Sequence, residues 1–206
     1  MTQEIRIYCE GGGDGPNTKD PFREGMRAFL NALYEIARAK RIKLSLIICG
    51  GRDTAYDNFQ TALKIHSHAL NILLVDAEAP VSKTPWLHLK QRDNWEALGC
   101  DDKRCHLMVQ TMEAWFIADK EALRKFYGQG FKEKALPKIT DVEQIEKSQL
   151  EKSLNKAISK TNKPEYRKIL HGAKLLGLID PTKVRQASKH CDRIFTTISS
   201  LMGQAA

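Results

Sequence analysis

The sequence predicts an α/β fold, in which a mostly parallel sheet carries helices on both faces. Short runs of almost entirely apolar residues alternate with longer segments whose apolar residues recur at helical spacing. Glycines or acidic residues follow most of the apolar runs. Strands that alternate with helices form βαβ units and a parallel sheet. Strands of such a sheet are buried on both faces and are expected to be nearly all apolar, as these are.

Four strands are predicted along the first half of the chain. Residues 4–9 alternate polar and apolar side chains and then meet a glycine-rich stretch, which is typical of a strand that ends in a tight loop. Residues 42–49 form a second apolar run, which is stopped by two glycines. Residues 71–75 and residues 107–109 are predicted to be the third and fourth strands.

Helices are predicted between these strands and after them. Residues 22–39 place apolar side chains at helical spacing, and Pro21 suits the first turn of that helix. Residues 54–70 and residues 113–127 are also expected to be helical.

The chain is expected to divide into an α/β core, residues 1–127, and a helical, basic C-terminal extension, residues 128–206, that packs on the core. Within the extension we expect helices at residues 141–159 and 182–202, joined by a basic loop at residues 160–172.

All of the excess positive charge lies in the C-terminal part. Residues 1–119 contain 15 Lys and Arg against 16 Asp and Glu, whereas residues 120–206 contain 18 against 9. Such asymmetry predicts a polyanionic partner such as DNA or RNA. A solvated surface that only keeps the protein soluble is the alternative.

Several classes of protein are not supported by the sequence. The longest apolar runs are far too short to cross a bilayer, and the first residues lack the features of a secretory signal, so we expect a cytoplasmic protein that does not bind membranes. The five cysteines form no CxxC pair, which argues against a zinc ribbon.

Acidic residues follow the first and third predicted strands. Glu10 and Asp14 come directly after the first strand, and Asp76 and Glu78 come directly after the third. Ligands bind outside the carboxyl ends of parallel strands, where these side chains can converge. Carboxylates packed closely together repel one another unless a cation binds them, and an all-oxygen set selects Mg²⁺ or Mn²⁺. The sequence therefore predicts a metal site.

The glycines between the first two acidic residues suggest close approach to a phosphate. Gly11, Gly12 and Gly13 can adopt positive φ and bring the backbone near a bound group. The stretch lacks the spacing of a dinucleotide-binding or P-loop motif. The alternative is a flexible turn in which Asp14 caps the next helix.

The strand ends resemble those of the Toprim fold, which occurs in topoisomerases, primases and OLD-type nucleases. In that fold an N-terminal strand ends in Glu-Gly and a later apolar strand ends in Asp-x-Asp or Asp-x-Glu. Longer strings resemble more specifically a bacterial Toprim family related to RloB; they are CEGGGDG, CGGRDTAYDNF, LLVDAEAPV and HLMVQTMEAWFIAD. This resemblance extends over nearly the whole chain.

The resemblance implies roles for five acidic residues. Glu10 matches the Toprim glutamate, a metal ligand or general acid/base, and Asp14 matches an acidic residue four positions on in OLD-type nucleases. Asp76 and Glu78 match the Asp-x-Asp pair, with a longer glutamate in the second place. Glu113 falls in a string shared with the RloB relatives, and a catalytic role is expected for it, although a helix N-terminus also favours Glu.

Other residues are candidates for binding substrate. Arg52 and Asp53 follow the second strand and face the same crevice. Arg52 could hold a phosphate in bidentate fashion, or form a salt bridge to Asp76 or Glu78. His88 is expected on a loop, where it either reaches substrate or has a structural role.

The basic C-terminal part supplies two further candidates, Lys168 and Lys174. Either lysine could neutralise transition-state charge, and the sequence does not distinguish them. These lysines belong to a basic patch that also contains Tyr166, Arg167 and His171, and the patch is expected to follow a nucleic-acid backbone.

The function expected from these features is metal-dependent hydrolysis of phosphodiester bonds in nucleic acid. RloB-like genes resemble those beside ABC-type ATPases in anti-phage systems, so the resemblance implies an effector of such a system. The alternative is a non-catalytic nucleic-acid-binding or regulatory subunit of an ATPase partner. The sequence leaves open whether the chain acts as a monomer or as a homodimer.

Overall fold

The protein is an α/β structure built on a four-stranded parallel sheet, as predicted. The computed structural model describes residues 4–15 and 17–204. The strands follow the order β2-β1-β3-β4. They are β1 (Glu4–Glu10), β2 (Lys43–Gly50), β3 (Leu70–Asp76) and β4 (Cys105–Met108).

The first and third strands are neighbours, which places their acidic ends side by side. Their register runs from Ile5 opposite Leu70 to Cys9 opposite Leu74. Because the strands are parallel, Glu10 and Asp76 both emerge at the carboxyl edge of the sheet.

Helices cover both faces of the sheet. One apolar cluster contains Ile5 and Ile7 of β1, and the other contains Tyr8 of β1 and Val75 of β3, as expected where successive side chains point to opposite faces. The helices in the described residues are α1 (Lys19–Phe29), α2 (Asn31–Ala39), α3 (Arg52–Ile65), α4 (Pro85–Asp93), α5 (Ala114–Ala118), α6 (Lys120–Tyr127), α7 (Lys147–Ile158), α8 (Lys168–Leu176), α9 (Pro181–Ala187) and α10 (Lys189–Gln204).

Two helices were not predicted. The α4 helix lies in a segment where no element is predicted, and α8 begins inside the predicted basic loop. The buried face of α8 contains His171, Gly172 and Ala173 besides two leucines, whereas Ile169 and Leu170 are exposed. The apolar pattern is therefore too weak to indicate a helix.

Other helices differ from prediction in their bounds. The helix predicted at residues 22–39 is interrupted at Leu30, where φ is −88° and ψ is 13°. The helix predicted at residues 113–127 is interrupted at Asp119, whose side chain accepts a hydrogen bond from Ala122 N and so caps α6.

The C-terminal helices share the larger apolar cluster with the sheet. That cluster includes Leu154 of α7, Leu175 of α8 and Ile198 of α10, together with Ile7 of β1. Within the described part of the chain, no helix combines the length and the apolar character needed to cross a bilayer.

Candidate functional site

Three carboxylates meet at the carboxyl edge of the sheet. Glu10, Asp76 and Glu78 each place one oxygen within 4.8 Å of the others. The Asp76 amide donates a hydrogen bond to Glu10 Oε2 at 2.9 Å, and the Met112 amide donates one to Asp76 Oδ1 at 2.8 Å. The backbone of β3 and of the loop after β4 thus fixes two of the three side chains.

Glu78 is held by its own backbone and by a lysine. Its φ is 63°, in the left-handed region that a non-glycine residue adopts only where its surroundings impose it. The Glu78 amide donates to the Gln110 carbonyl at 2.7 Å, and Lys147, at the start of α7, forms an ion pair with the Glu78 carboxylate.

Burial makes this cluster electrostatically unfavourable. Asp76 is only 2% exposed, and burial raises its pKa well above the ordinary value, with further increases from Glu10 and Glu113. Burial also raises the pKa of Glu10, although the Asp76 amide and the positive charges of Arg52 and Lys168 oppose that increase. Desolvation and like charges both disfavour the ionised carboxylates.

Lys168 brings a positive charge from α8 to the cluster. Its Nζ lies 3.7 Å from Asp76 Oδ2 and 3.4 Å from Glu113 Oε1. Burial lowers the pKa of Lys168, but Glu113, Asp76 and Glu10 outweigh that effect and raise it to about 12. Lys168 therefore stays charged at neutral pH.

Glu113 belongs to the same network. It is buried just before α5, and the Tyr166 hydroxyl donates a hydrogen bond to Glu113 Oε1 at 3.3 Å. Glu113 thus contacts both Lys168 and Tyr166. A glutamate that only stabilised the N-terminus of a helix would need neither contact.

Arg52 supports the site by contacts within the protein. Its Nη2 lies 2.6 Å from Asp93 Oδ2, its Nη1 lies 3.6 Å from Glu10 Oε2, and its guanidinium also donates to the Asp76 carbonyl. It stacks over Trp95 at 4.8 Å. The salt bridges therefore go to Asp93 and Glu10 rather than to Asp76 or Glu78.

The glycine stretch forms one wall of a cavity of about 240 Å³ beside the carboxylates. Gly11 has a φ of 130°, and a Cβ there would overlap the ring of Phe22. The amides and carbonyls of Gly11 and Gly50 bond each other at 2.9 and 3.0 Å. The cavity is lined by Glu10, Gly11, Gly12, Gly13, Asp14, Phe22, Gly50, Gly51, Asp76, Met108, Met112, Lys168 and Ile169.

The structure separates the remaining predicted residues. Asp14 lines the cavity, but it is exposed, lies against Gly50 and is outside the cluster of three carboxylates. Asp53 is exposed in the first turn of α3. Lys174 is exposed on α8 away from the cavity, so that Lys168 is the lysine at the carboxylates.

His88 is buried on α4 and not on a loop. Its Nε2 lies 2.9 Å from the Ala77 carbonyl oxygen. This contact ties α4 to the segment between Asp76 and Glu78.

Sequence reasoning missed three groups at the site. Lys147 and Met112 were not singled out, and Tyr166 was placed in the basic patch without a link to the carboxylates. Lys147 belongs to a helix with several lysines, and the contribution of Met112 is its backbone amide, so neither carries a recognisable sequence signal.

The residues present fit a hard divalent cation. All of the converging side-chain atoms are carboxylate oxygens, the ligands that Mg²⁺ and Mn²⁺ prefer. Arg52, Lys147 and Lys168 offset part of the negative charge, yet the pKa values of Glu10 and Asp76 remain raised. Neutralisation by the protein's own cations is thus incomplete.

Comparison with known proteins identifies the family. No curated protein and no solved structure matches the chain. The model of a family described as "Domain of unknown function (DUF4276)" matches residues 23–199, a range that includes Asp76, Glu78 and Glu113 and begins after Glu10. The chain belongs to the DUF4276 family.

Proposed function

We propose that this protein is a divalent-metal-dependent nuclease that hydrolyses phosphodiester bonds of DNA or RNA. The observation that carries the proposal is the convergence of Glu10, Asp76 and Glu78 at the ends of neighbouring strands, with their oxygens within 4.8 Å. The resemblance of the strand-end motifs to Toprim nucleases supports the same chemistry.

Glu10, Asp76 and Glu78 are the residues that would hold the cation. A bound Mg²⁺ or Mn²⁺ supplies charge stabilisation to a phosphoryl group and lowers the pKa of a water molecule. The amides of Asp76 and Met112 orient two of these carboxylates before any ligand arrives.

Lys168 supplies a fixed positive charge at the cavity wall. Its raised pKa keeps the ammonium group protonated, and its position beside Asp76 and Glu113 directs it toward the cavity. A preorganised cation of this kind stabilises negative charge that develops on a phosphate. The excess of Lys and Arg after residue 119 favours a polyanionic substrate.

A nuclease assay tests the proposal. Plasmid, single-stranded DNA and tRNA are incubated with the full chain and Mg²⁺ or Mn²⁺. We expect cleavage by the wild type and a loss of at least about 100-fold in Asp76→Asn, because the substitution removes a charged ligand of the cation that would stabilise the developing charge. Asp57→Asn, which changes an exposed acid of α3, is the matched control and should cleave normally.

Equal cleavage by the wild type and Asp76→Asn would contradict the proposal.

We also propose that the nuclease serves as the effector of an ATPase-coupled anti-phage system. The assay is therefore repeated in the presence of any ABC-type ATPase encoded beside the gene. Phage protection that survives Glu10→Gln would instead favour a non-catalytic, regulatory subunit.

A further inference from the structure

We propose that a groove between α1 and α8 receives an unstacked base of single-stranded nucleic acid beside the carboxylate site. The inference rests on the proposed function, because it concerns the substrate of that same site. It adds that the substrate is single-stranded where it meets the protein.

The groove is large and mostly apolar. Its volume is about 530 Å³, within the range of about 300–1,000 Å³ that small organic groups occupy in proteins. Pro21, in the first turn of α1, forms one side of the groove. Ile169, Leu170 and Ala173 of α8 form the other side. Ile169 is 46% exposed and Leu170 is 50% exposed. These two side chains extend the apolar lining of the groove to the surface, and contiguous exposed apolar surface of this kind marks interaction sites.

Positive charges flank this apolar surface. Arg167, Lys168 and Lys174 line the groove, and no acidic side chain is among the described residues that line it. A purely apolar protein segment would gain nothing from these cations. A nucleotide presents an apolar base face and an anionic phosphate together, and the groove matches both.

The groove is continuous with the carboxylate cavity. Lys168 and Ile169 line both spaces, and Ile169 lies directly against Gly13, where a Cβ would come within 2.8 Å of Ile169 Cδ1. A strand whose phosphate lies at Lys168 can therefore place its neighbouring base over Ile169. In a duplex the bases are stacked inside and cannot enter such a groove without being flipped out.

The test measures binding without catalysis. Fluorescent DNA and RNA oligonucleotides of about 12 nucleotides, a length within the usual site sizes, are titrated with the full chain in EDTA and followed by anisotropy. We expect single strands to bind more tightly than a duplex of the same sequence. Leu170→Asp should weaken single-strand binding by about tenfold or more, the order of effect of losing one base contact.

Leu178→Asp is the matched control, because Leu178 is 47% exposed and lies outside the groove. It should change affinity by less than about twofold, as surface substitutions usually do. Leu170→Ala, which adds no charge, should give a smaller loss in the same direction. Arg167→Gln and Lys174→Gln should each flatten the dependence of log affinity on log salt by about 0.7, the value for one single-strand phosphate contact.

Several results would overturn the inference. Three of them are equal affinity of Leu170→Asp and Leu178→Asp, preference for the duplex, and absence of oligonucleotide binding by the wild type. A Leu170→Asp variant that binds oligonucleotides normally but loses self-association or an ATPase partner would also overturn it, in favour of a protein interface. EDTA prevents metal-dependent cleavage during the titration, so oligonucleotide binding is measured whether or not the protein is a nuclease. A negative nuclease assay would therefore not decide the outcome of the binding measurement.

Discussion

Asp76 is the residue at which the forces of the site are most clearly opposed. Burial and the charges of Glu10 and Glu113 raise its pKa, while Lys168 and the Met112 amide favour its ionised form. A metal ion and Lys168 therefore stabilise the same carboxylate. We therefore expect Lys168 to weaken the binding of a metal ion to Asp76 and, at the same time, to assist cleavage.

Lys168→Met separates these two effects. Removing the ammonium group leaves more uncompensated negative charge on Asp76 and Glu113, so we expect tighter Mn²⁺ binding, by up to about tenfold, which corresponds to one unit of pKa. Cleavage should fall because the cavity loses its fixed cation. Calorimetry gives the affinity and the nuclease assay gives the rate.

Lys64→Met is the control for this pair of measurements. Lys64 is exposed in the last turn of α3, at the end of that helix far from Arg52 and the carboxylates, so neither Mn²⁺ affinity nor the rate of cleavage should change by more than about twofold. Weaker Mn²⁺ binding in Lys168→Met would contradict the electrostatic account.

Glu10, Asp76 and Glu78 could be predicted because each follows a strand of a parallel sheet, whereas Asp14, predicted with them, lies outside the cluster. The adjacency of β1 and β3, which the structure shows, places Glu10 beside Asp76. The positions of Lys147 and Tyr166 could not be predicted. They depend on how α7 and the segment before α8 fold back onto the sheet, which no local pattern specifies.

At the scale of elements, the position of α8 depends on close contact with α1. Gly25 of α1 faces the backbone of α8, and a Cβ at Gly25 would overlap the carbonyl oxygen of Ala173. The α8 helix carries Lys168 at its first position. Packing between the two helices thus sets the distance from Lys168 to the carboxylates.

Gly25→Ala should destabilise the protein, although the same change in an open helix is stabilising. The helix preference favours Ala by about 1 kcal/mol, whereas overpacking against α8 costs about 1–3 kcal/mol or more. We expect a net decrease of about 1–2 kcal/mol in the free energy of unfolding, measured by urea denaturation.

Gly203→Ala provides the comparison, since Gly203 lies in α10 and a Cβ there meets nothing within 4 Å. This variant should be as stable as the wild type or slightly more stable. A Gly25→Ala protein with the stability of Gly203→Ala would show that α1 and α8 are not in close contact.

Most helices and strands could be predicted from the sequence, but the positions at which helices are interrupted could not. Leu30 divides a helix whose apolar spacing continues across the break, so the pattern alone gave one helix. The α8 helix was missed because its buried face mixes His171, Gly172 and Ala173 with two leucines, which leaves a weak apolar pattern. Its contact with Gly25 of α1, at Ala173 and Leu176, is a tertiary feature that the local sequence does not indicate.

For the whole molecule, the C-terminal helices and the sheet form one apolar cluster, and a buried carboxylate anchors the last helix. Glu143 Oε1 accepts hydrogen bonds from the Ser188 hydroxyl at 2.6 Å and from the His190 amide at 2.7 Å. Glu143 Oε2 lies 2.7 Å from His190 Nδ1. Burial raises the pKa of Glu143, but the bonds from His190 and Ser188 outweigh it and lower the pKa below the ordinary value.

This network should make stability depend on acid. Because the folded-state pKa of Glu143 is lowered, its contribution is complete above the unfolded value of about 4.3 and is lost as pH falls through the folded value. Glu143→Gln should therefore lose about 1–3 kcal/mol at pH near 7, and the difference from the wild type should narrow below a pH of about 4. Urea denaturation at both pH values measures this.

Glu24→Gln, which changes an exposed acid of α1, should match the wild type at both pH values. A constant difference between Glu143→Gln and the wild type across the acid range would show that the carboxylate is not ionised in the folded protein.

The central claim is that the three carboxylates form one binding site for a divalent cation, and calorimetric titration with Mn²⁺ tests it most directly. The wild type and the Asp57→Asn control should bind Mn²⁺ with equal affinity, and both Asp76→Asn and Glu78→Gln should bind at least about tenfold more weakly, since each removes one charged ligand. Wild-type protein that binds no Mn²⁺, or Asp76→Asn protein that binds it as tightly as the wild type, would contradict the account.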